Sequence, residues 1–305
     1  MKDSDLSIVI LSWNTRELTR TCLCSLADDD TRHSREVIVV DNASEDGSPD
    51  MIAEEFPEVI LLRNSENRLY AMGNNQGVSR ATGRFLCLLN SDTEVGRGAL
   101  DRMVNFLERN QEYGAVAPKL LNADGSVQHS CRRFPGLLNP LVHSTKLGQF
   151  WPCARLAKRT RMIDFDHVHS CDVEQPPGVC IIMRRQEYLD LGGLDPGLSL
   201  FFNDVDLCRR LWKEGRRIRY VAEAEILHHW GASTRQARPL ALWHRNREAY
   251  YRKHYGAWVV PYLRLIFYIW VARVWLGIQI GPKDAEAKRA ALEDLRACLR
   301  KCPQI

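Results

Sequence analysis

The chain of 305 residues has no CxxC pair, no GxGxxG and no P-loop. The missing glycine-rich signatures exclude a Rossmann dinucleotide fingerprint and a Walker site. Ten cysteines are scattered along the chain; the CxC of Cys22 and Cys24 has no further clustered ligands beside it. They read as reduced thiols of a cytosolic protein rather than as a disulfide or zinc framework. Strong charge is missing too: 42 basic against 38 acidic residues leave a formal +4, too mild to argue for nucleic acid. No internal repeat or low-complexity tract occurs. A signal peptide is not expected, because Met1–Asp5 is polar and the apolar run Ile8–Leu11 is too short for a signal core.

What is present is a hydrophobic content of 45%, enough for one large α/β domain with an appendage. Apolar runs at Leu6–Leu11, Glu36–Val40, Val59–Leu62 and Phe85–Leu89 predict strands. Helical segments are expected between them at about Arg16–Leu26, Asp50–Glu55 and Asn74–Ala81. That alternation predicts βαβ units and a largely parallel sheet. Val127–Asp172 lacks periodicity and reads as a loop-and-helix excursion near the substrate. Order returns in a strand at Gly178–Met183, a helix at Leu207–Glu214, a strand at Arg217–Val221 and a short segment at Ile226–His229. The tail after Gly281 has helical spacing.

Ala257–Ile280 is rich in Trp, Tyr, Leu, Ile and Val but is interrupted by Arg264 and Arg273. Two central arginines would each cost a spanning helix about 2.5–3.5 kcal/mol. A helix lying in a membrane surface tolerates them; a helix packed on the main domain fits the same pattern. A membrane surface is therefore a candidate partner.

Ligands of parallel sheets bind beyond the carboxyl ends of the strands. Polar clusters fall at those ends: Trp13 and Asn14, Asp41 and Asn42, Asn64, and Asn90–Asp92. Asp92 directly follows an apolar strand, a suitable place for a hard cation such as Mg²⁺ or Mn²⁺; a turn-capping aspartate has the same pattern. Asp41 suits either a nucleobase edge or a turn. Asp204 and Asp206 open a helix, where the dipole favours carboxylates; in the functional reading Asp204 is a general base and Asp206 a support or an acceptor-binding group. His228 or His229 could supply a metal ligand, or be ordinary loop histidines.

Taken together, these residues resemble the glycosyltransferase family 2 enzymes, in particular the rhamnosyltransferase-like branch. The matching stretches are Ser7–Ile10 with Trp13-Asn14, Val39–Ser48, Asn74–Gly77, Leu88–Glu94, Gly192–Asp195, Asp204–Cys208 and His228–Ser233. They occur in the family's order and cover about residues 5–235. The resemblance implies a GT-A fold: a Rossmann-like nucleotide-binding half (about 1–120) with a mixed, mainly parallel sheet, an acceptor-binding half (about 121–240), and a C-terminal helical extension (241–305). It also implies an inverting transfer from a nucleotide-diphosphate sugar to a glycan; the apolar segment Ala257–Ile280 adds the expectation of a lipid-linked acceptor and of a place at the cytoplasmic face of the membrane. Donor contacts are then expected from Trp13, Asn14, Asp41, Asn42, Asn64, Asn74, Asn90 and Ser91. A divalent metal is expected at Asp92 and His228, the base at Asp204 and an acceptor contact at Asp206.

The chain departs from the family pattern at three places. Asn90 replaces the first carboxylate of an Asp-x-Asp metal motif, Asn203 stands where many relatives have Glu, and Asn67-Arg68-Leu69-Tyr70 replaces Asn-x-Gly-Phe, with Arg68 a candidate phosphate contact. Two other classes remain open from sequence. A sugar nucleotidyltransferase would carry a basic glycine-rich N-terminal loop, which this chain lacks, and a catalytically silent glycan- or nucleotide-binding module would bind donor without turnover.

Overall fold

The computed structural model describes residues 4–29, 31–150, 152–229, 240–280 and 285–301. Trp230–Ser233, the end of the histidine motif, lie outside the described residues. The chain divides into two compact units: Met1–Phe134 with Phe165–Ser199 and Asn203–Ala237, and Pro135–Asp164 with Leu200–Phe202 and Arg238–Ile305.

In chain order the elements are β1 (Leu6–Ser12), α1 (Arg16–Ala27), β2 (Arg35–Asp41), α2 (Ser48–Glu55), β3 (Ile60–Arg63), α3 (Leu69–Val78), β4 (Phe85–Asn90), β5 (Thr93–Val95), α4 (Ala99–Arg109) and β6 (Tyr113–Leu121). They continue with α5 (Asn139–Ser144), α6 (Cys153–Thr160), β7 (Cys171–Asp172), β8 (Cys180–Arg184), α7 (Arg185–Asp190), α8 (Asn203–Lys213) and β9 (Arg217–His228). Three helices close the chain: α9 (Leu240–Tyr255), α10 (Val259–Ile280) and α11 (Ala285–Lys301).

The first unit holds one nine-stranded sheet of order β3-β2-β1-β4-β8-β6-β9-β5, with β7 beside β9. The stretch β3-β2-β1-β4 is parallel throughout. From β4 onward the sheet is mixed: β8 is antiparallel to β4 and β6, whereas β6 and β9 are parallel. β1 is an unbroken apolar run because both its faces are covered: Leu6, Ile8, Val9 and Ile10 are at most 1% exposed.

α3 starts at Leu69, five residues before the expected helix at Asn74, and ends at Val78. Gly73 and Gly77 hide it from a propensity reading, since each weakens a helix by about 1 kcal/mol. They are required by packing. A Cβ at Gly77 would stand 2.4 Å from Val9 Cγ1 and 3.1 Å from Val40 Cγ2, so glycine lets α3 lie directly on β1 and β2. The two segments expected at Arg217–Val221 and Ile226–His229 form the single strand β9. Its pairing with β6 shifts register between Pro118 and Lys119, which absorbs the irregularity read as a break.

The second unit is helical. Tyr251, Tyr255 and Tyr262 donate to the carbonyls of Gly136, Pro135 and Leu137, tying α9 and α10 to the chain that leads into α5. His244 packs edge-on against Phe267 and beside Trp270. α10 is long and apolar enough to cross a membrane by length and composition, with mean hydropathy 1.5, yet only 22% of its most apolar window is buried.

Gly77→Ala is expected to lose about 1–2 kcal/mol. Overpacking between Val9 and Val40, both buried, outweighs the gain in helix propensity. Urea unfolding should show a lower midpoint with an unchanged slope.

Candidate active site

The register of β1 gathers the polar strand ends. Ser12 pairs with Asp41 on one side, and Leu11 pairs with Asn90 on the other. The turn after β1 is closed by Asn14, at φ 52°, whose N–H donates to Ser44 Oγ (2.9 Å) and whose Oδ1 accepts from Glu45 N (2.7 Å). Asn tolerates this left-handed geometry better than most residues. Trp13 beside it is partly buried. Thr15 Oγ1 lies 3.1 Å from Ser91 Oγ, which joins the β1 turn to the β4 turn.

Asp41 is 2% exposed. Its Oδ2 accepts from Ser44 N (3.0 Å), while its Oδ1 has no hydrogen-bond partner among the described residues. A buried carboxylate oxygen without a partner is uncommon and costly, and it is free to accept from a ligand N–H. Asn42 and Asn64 are engaged differently. Asn42 Nδ2 donates to Asn67 Oδ1 and Leu69 O, and its Oδ1 accepts from Asn64 Nδ2 (3.0 Å) and Arg68 N. Asn64 Oδ1 accepts from Gln76 Nε2 (2.8 Å). These amides hold the loop before α3. Asn74 donates back to Tyr70 O inside that helix (2.9 Å), and neighbouring Asn75 brackets Leu194 through both its N–H and its carbonyl.

Asp92 and His228 meet because β5 and β9 are antiparallel, with Thr93 opposite His228. Asp92 Oδ1 and His228 Nε2 are 3.5 Å apart, with side chains 4% and 5% exposed. His229, on the opposite face of the strand, is bonded to Glu94 (2.6 Å). Among the described residues no group of three His, Cys, Asp or Glu could hold a metal ion. Asp92 and His228 are thus two candidate ligands side by side, with Asn90 at the first position of the motif.

Gln128 was not singled out in the sequence, yet it sets the state of His228. Gln128 Nε2 donates to His228 O (2.8 Å), which turns Gln128 Oε1 toward His228 Nδ1 at 3.0 Å. In a neutral imidazole the proton then resides on Nδ1, leaving the Nε2 lone pair facing the Asp92 carboxylate. Two electron-pair donors facing each other suit a cation between them: ligands at adjacent octahedral positions about 2.1 Å from Mg²⁺ lie about 3 Å apart. The turn Asn122–Ser126 with Asp124-Gly125, which folds the chain back on β6, is legible in the sequence, but the contact it brings about with His228 is not.

Asp204 opens α8 next to the start of β8. Gly178 N donates to Asp204 Oδ2 (3.1 Å), and Asn90 N donates to Val179 O (2.8 Å), so Asp204 lies close to the end of β4. Gly178 must be glycine, since a Cβ there would be 2.9 Å from Asp204 Cβ. Tyr70 donates to Gly178 O (2.9 Å) and completes the support. Burial pushes the Asp204 carboxyl above the ordinary carboxylate range, against the hydrogen bonds from Val205 N and Gly178 N. Asp206, read as a support or an acceptor contact, is fully buried and bonded to Arg210 Nε (2.8 Å), which fits the support. Arg210 in turn donates to Leu191 O and Gly193 O. The one-turn spacing of the pair on α8 directs Asp206 inward, where it braces the Gly192-Gly193 turn.

The sequence model for glycosyl transferase family 2 matches residues 7–159. The chain is 30% identical over 243 residues to the N-acetylglucosaminyl-diphospho-decaprenol L-rhamnosyltransferase of Mycobacterium tuberculosis, covering 74% of this chain and 77% of that protein. It is also 30% identical over 234 residues to the O-antigen biosynthesis protein RfbC of Myxococcus xanthus, covering 75% of this chain and 18% of that protein. Among solved structures, the mannosyltransferase PcManGT of Pyrobaculum calidifontis, in complex with GDP-Man and Mn²⁺, superimposes with TM-score 0.54 at 19% identity, covering 96% of this chain and 81% of that one. S. aureus TarS 1-349 in complex with UDP does so with TM-score 0.54 at 16% identity, covering 96% and 70%. The chain belongs to glycosyl transferase family 2. Its fold is the expected α/β GT-A fold with a C-terminal helical part, and it resembles the rhamnosyltransferase-like members of the family.

Because burial raises the Asp204 pKa, ionised Asp204 costs stability as pH rises from the unfolded-state carboxylate value through the folded one. Asp204→Asn is therefore expected to keep or raise the thermal midpoint at pH 7, its single amide oxygen keeping the bond from Gly178 N and giving up the one from Val205 N. Calorimetry across pH 4–8 checks this, and a clear drop in midpoint would contradict it.

Proposed function

We propose that the protein is an inverting, metal-dependent hexosyltransferase. In this reading it moves a sugar from a nucleotide-diphosphate donor to a hydroxyl of a glycan or lipid-linked glycan in cell-surface polysaccharide synthesis. The observation that carries the reading is the convergence of three groups at the sheet's carboxyl edge: the orphan Asp41 Oδ1, the facing Asp92–His228 pair and Asp204. Membership of the family supplies the reaction class. The similarity to a rhamnosyltransferase named for a lipid-diphosphate acceptor favours deoxythymidine-diphosphate-rhamnose as donor and a lipid-linked amino sugar as acceptor. A lipid-linked acceptor puts the enzyme at the cytoplasmic face of the membrane.

Asp41 Oδ1 accepts an N–H from the base edge. Trp13, Asn14 and Ser91 line the donor side, with Asn42, Asn64 and Asn74 holding the backbone around it. Asp92 and His228 would hold Mg²⁺ or Mn²⁺, which supplies neutralisation of the leaving diphosphate. Asp204 takes the proton of the acceptor hydroxyl as its oxygen forms the bond to the anomeric carbon. The bond to the diphosphate breaks on the opposite face, and its electron pair leaves with the phosphate oxygen. A raised carboxyl pKa suits this task, because a base nearer the working pH accepts the proton more favourably.

Asp204→Asn should lower kcat/KM about 10²–10⁴-fold with donor binding kept. The assay is radiolabelled transfer from the deoxythymidine-diphosphate sugar to a polyprenyl-diphosphate-GlcNAc acceptor. The acid limb of the wild-type profile should lie above the usual carboxylate value, because the Asp204 pKa is raised; near-normal transfer by the variant would remove Asp204 from the role of base.

Chelator should stop transfer and added Mn²⁺ restore it. Gln128→Leu, which releases His228 from its fixed tautomer, should weaken Mn²⁺ binding about 10–100-fold. Electron paramagnetic resonance titration in the presence of the nucleoside diphosphate measures this. Unchanged Mn²⁺ affinity would show that Gln128 only supports the fold.

A further inference from the structure

The two units differ sharply in charge. The helical unit carries 18 Lys and Arg against 6 Asp and Glu, a formal +12, whereas the sheet unit carries 24 against 32, a formal −8. Exposed apolar side chains follow the same division. Of the 16 large hydrophobics exposed among the described residues, 12 belong to the helical unit. A unit that concentrates both cations and exposed apolar side chains is unusual for a protein that meets only water.

α10 shows how the two are arranged. At 100° per residue, Leu265, Tyr268, Ile269, Ala272, Leu276 and Ile280 form one stripe about 120° wide, and all six are exposed. Leu263, Ile266 and Phe267 lie on the opposite side and are buried, where α10 packs on α5, α9 and α11. Arg264 falls on one flank of the stripe and Arg273 on the other, both exposed. Trp275 and Trp258 are 48% and 64% exposed, rings of the kind that settle at a headgroup boundary. α6 adds Arg155, Lys158 and Arg159, exposed on a helix with no buried residue, with Phe150 63% exposed just before it.

We infer that the helical unit docks on an anionic lipid bilayer, with the α10 stripe in the acyl boundary and the α6 cations at the headgroups. Packing of its far side on α5, α9 and α11, with an arginine on either flank of the stripe, favours a helix lying in the membrane surface over one that spans it. The apolar stripe and the basic cluster are the two signals that stable surface anchoring needs. Docking depends on this unit alone and not on the transferase reading.

The test is flotation of the full chain with vesicles of phosphatidylcholine and phosphatidylglycerol, without donor or acceptor, so that failure of the catalytic reading leaves it untouched. The chain should float with these vesicles, not with pure phosphatidylcholine, and should be released by high salt and by alkaline carbonate. Lys158→Ala with Arg159→Ala should weaken partition roughly 25-fold, about fivefold for each surface cation removed. Ile269→Ser with Leu276→Ser should also weaken it, and circular dichroism should show that both variants keep their helices. Equal binding to neutral vesicles, no binding at all, or resistance to carbonate would overturn the inference. So would a dimer in sedimentation velocity that the Ile269/Leu276 variant abolishes while vesicle binding is unchanged.

Discussion

The register of β1 against β2 and β4 is the constraint on which the site depends. In a parallel sheet every strand ends on the same edge, so one alignment decides what stands side by side there. Pairing Ser12 with Asp41 and Leu11 with Asn90 brings together groups about thirty and eighty residues apart. A slip of one residue would exchange the two packed faces of β1 and separate those groups at once. The core that holds the register, from Ile8 and Ile10 to Val39 and Leu89, is therefore also what holds the chemistry in place.

The polar edge is costly to maintain. Asp41, Ser91, Asp92 and His228 are all nearly inaccessible, and each loses hydration on folding. Most of that loss is recovered by hydrogen bonds to turn backbones and by Gln128. Asp41 Oδ1 is the exception, and Asp204 is held where its charged form is disfavoured. Groups left short of partners inside an otherwise satisfied fold mark where a ligand completes the arrangement.

Sequence patterns made part of this legible for identifiable reasons. β1, β2 and β4 are apolar on both faces, so their runs stand out; the polar residues that follow them fall together because these strands are parallel and end on one edge. α3 was misplaced because its glycines serve packing against Val9 and Val40, a tertiary demand invisible to propensity. β6 and α4 went unassigned in the sequence, although α4 buries Leu100, Met103, Val104 and Leu107 at helical spacing. The pairing of Asp206 with Arg210 needed only the i,i+4 rule and was available. The role of Gln128 was not: its contact with His228 spans 100 residues and arises from the turn at Asp124-Gly125 and the β6–β9 pairing.

Charge segregation bears on how an anionic donor would be held. A nucleoside diphosphate approaching the sheet unit meets a formal −8, so long-range attraction does not draw it in. In the proposed reading, affinity comes from short-range groups: backbone N–H at the strand-end turns, Asp41 toward the base, and a cation that Asp92 and His228 would hold. With Asn at position 90, the protein contributes one carboxylate rather than two, and each ligand removed lowers affinity for a free hard ion. Donor and metal are therefore expected to bind together, each completing the other's coordination. In the same chain the excess positive charge lies on the helical unit.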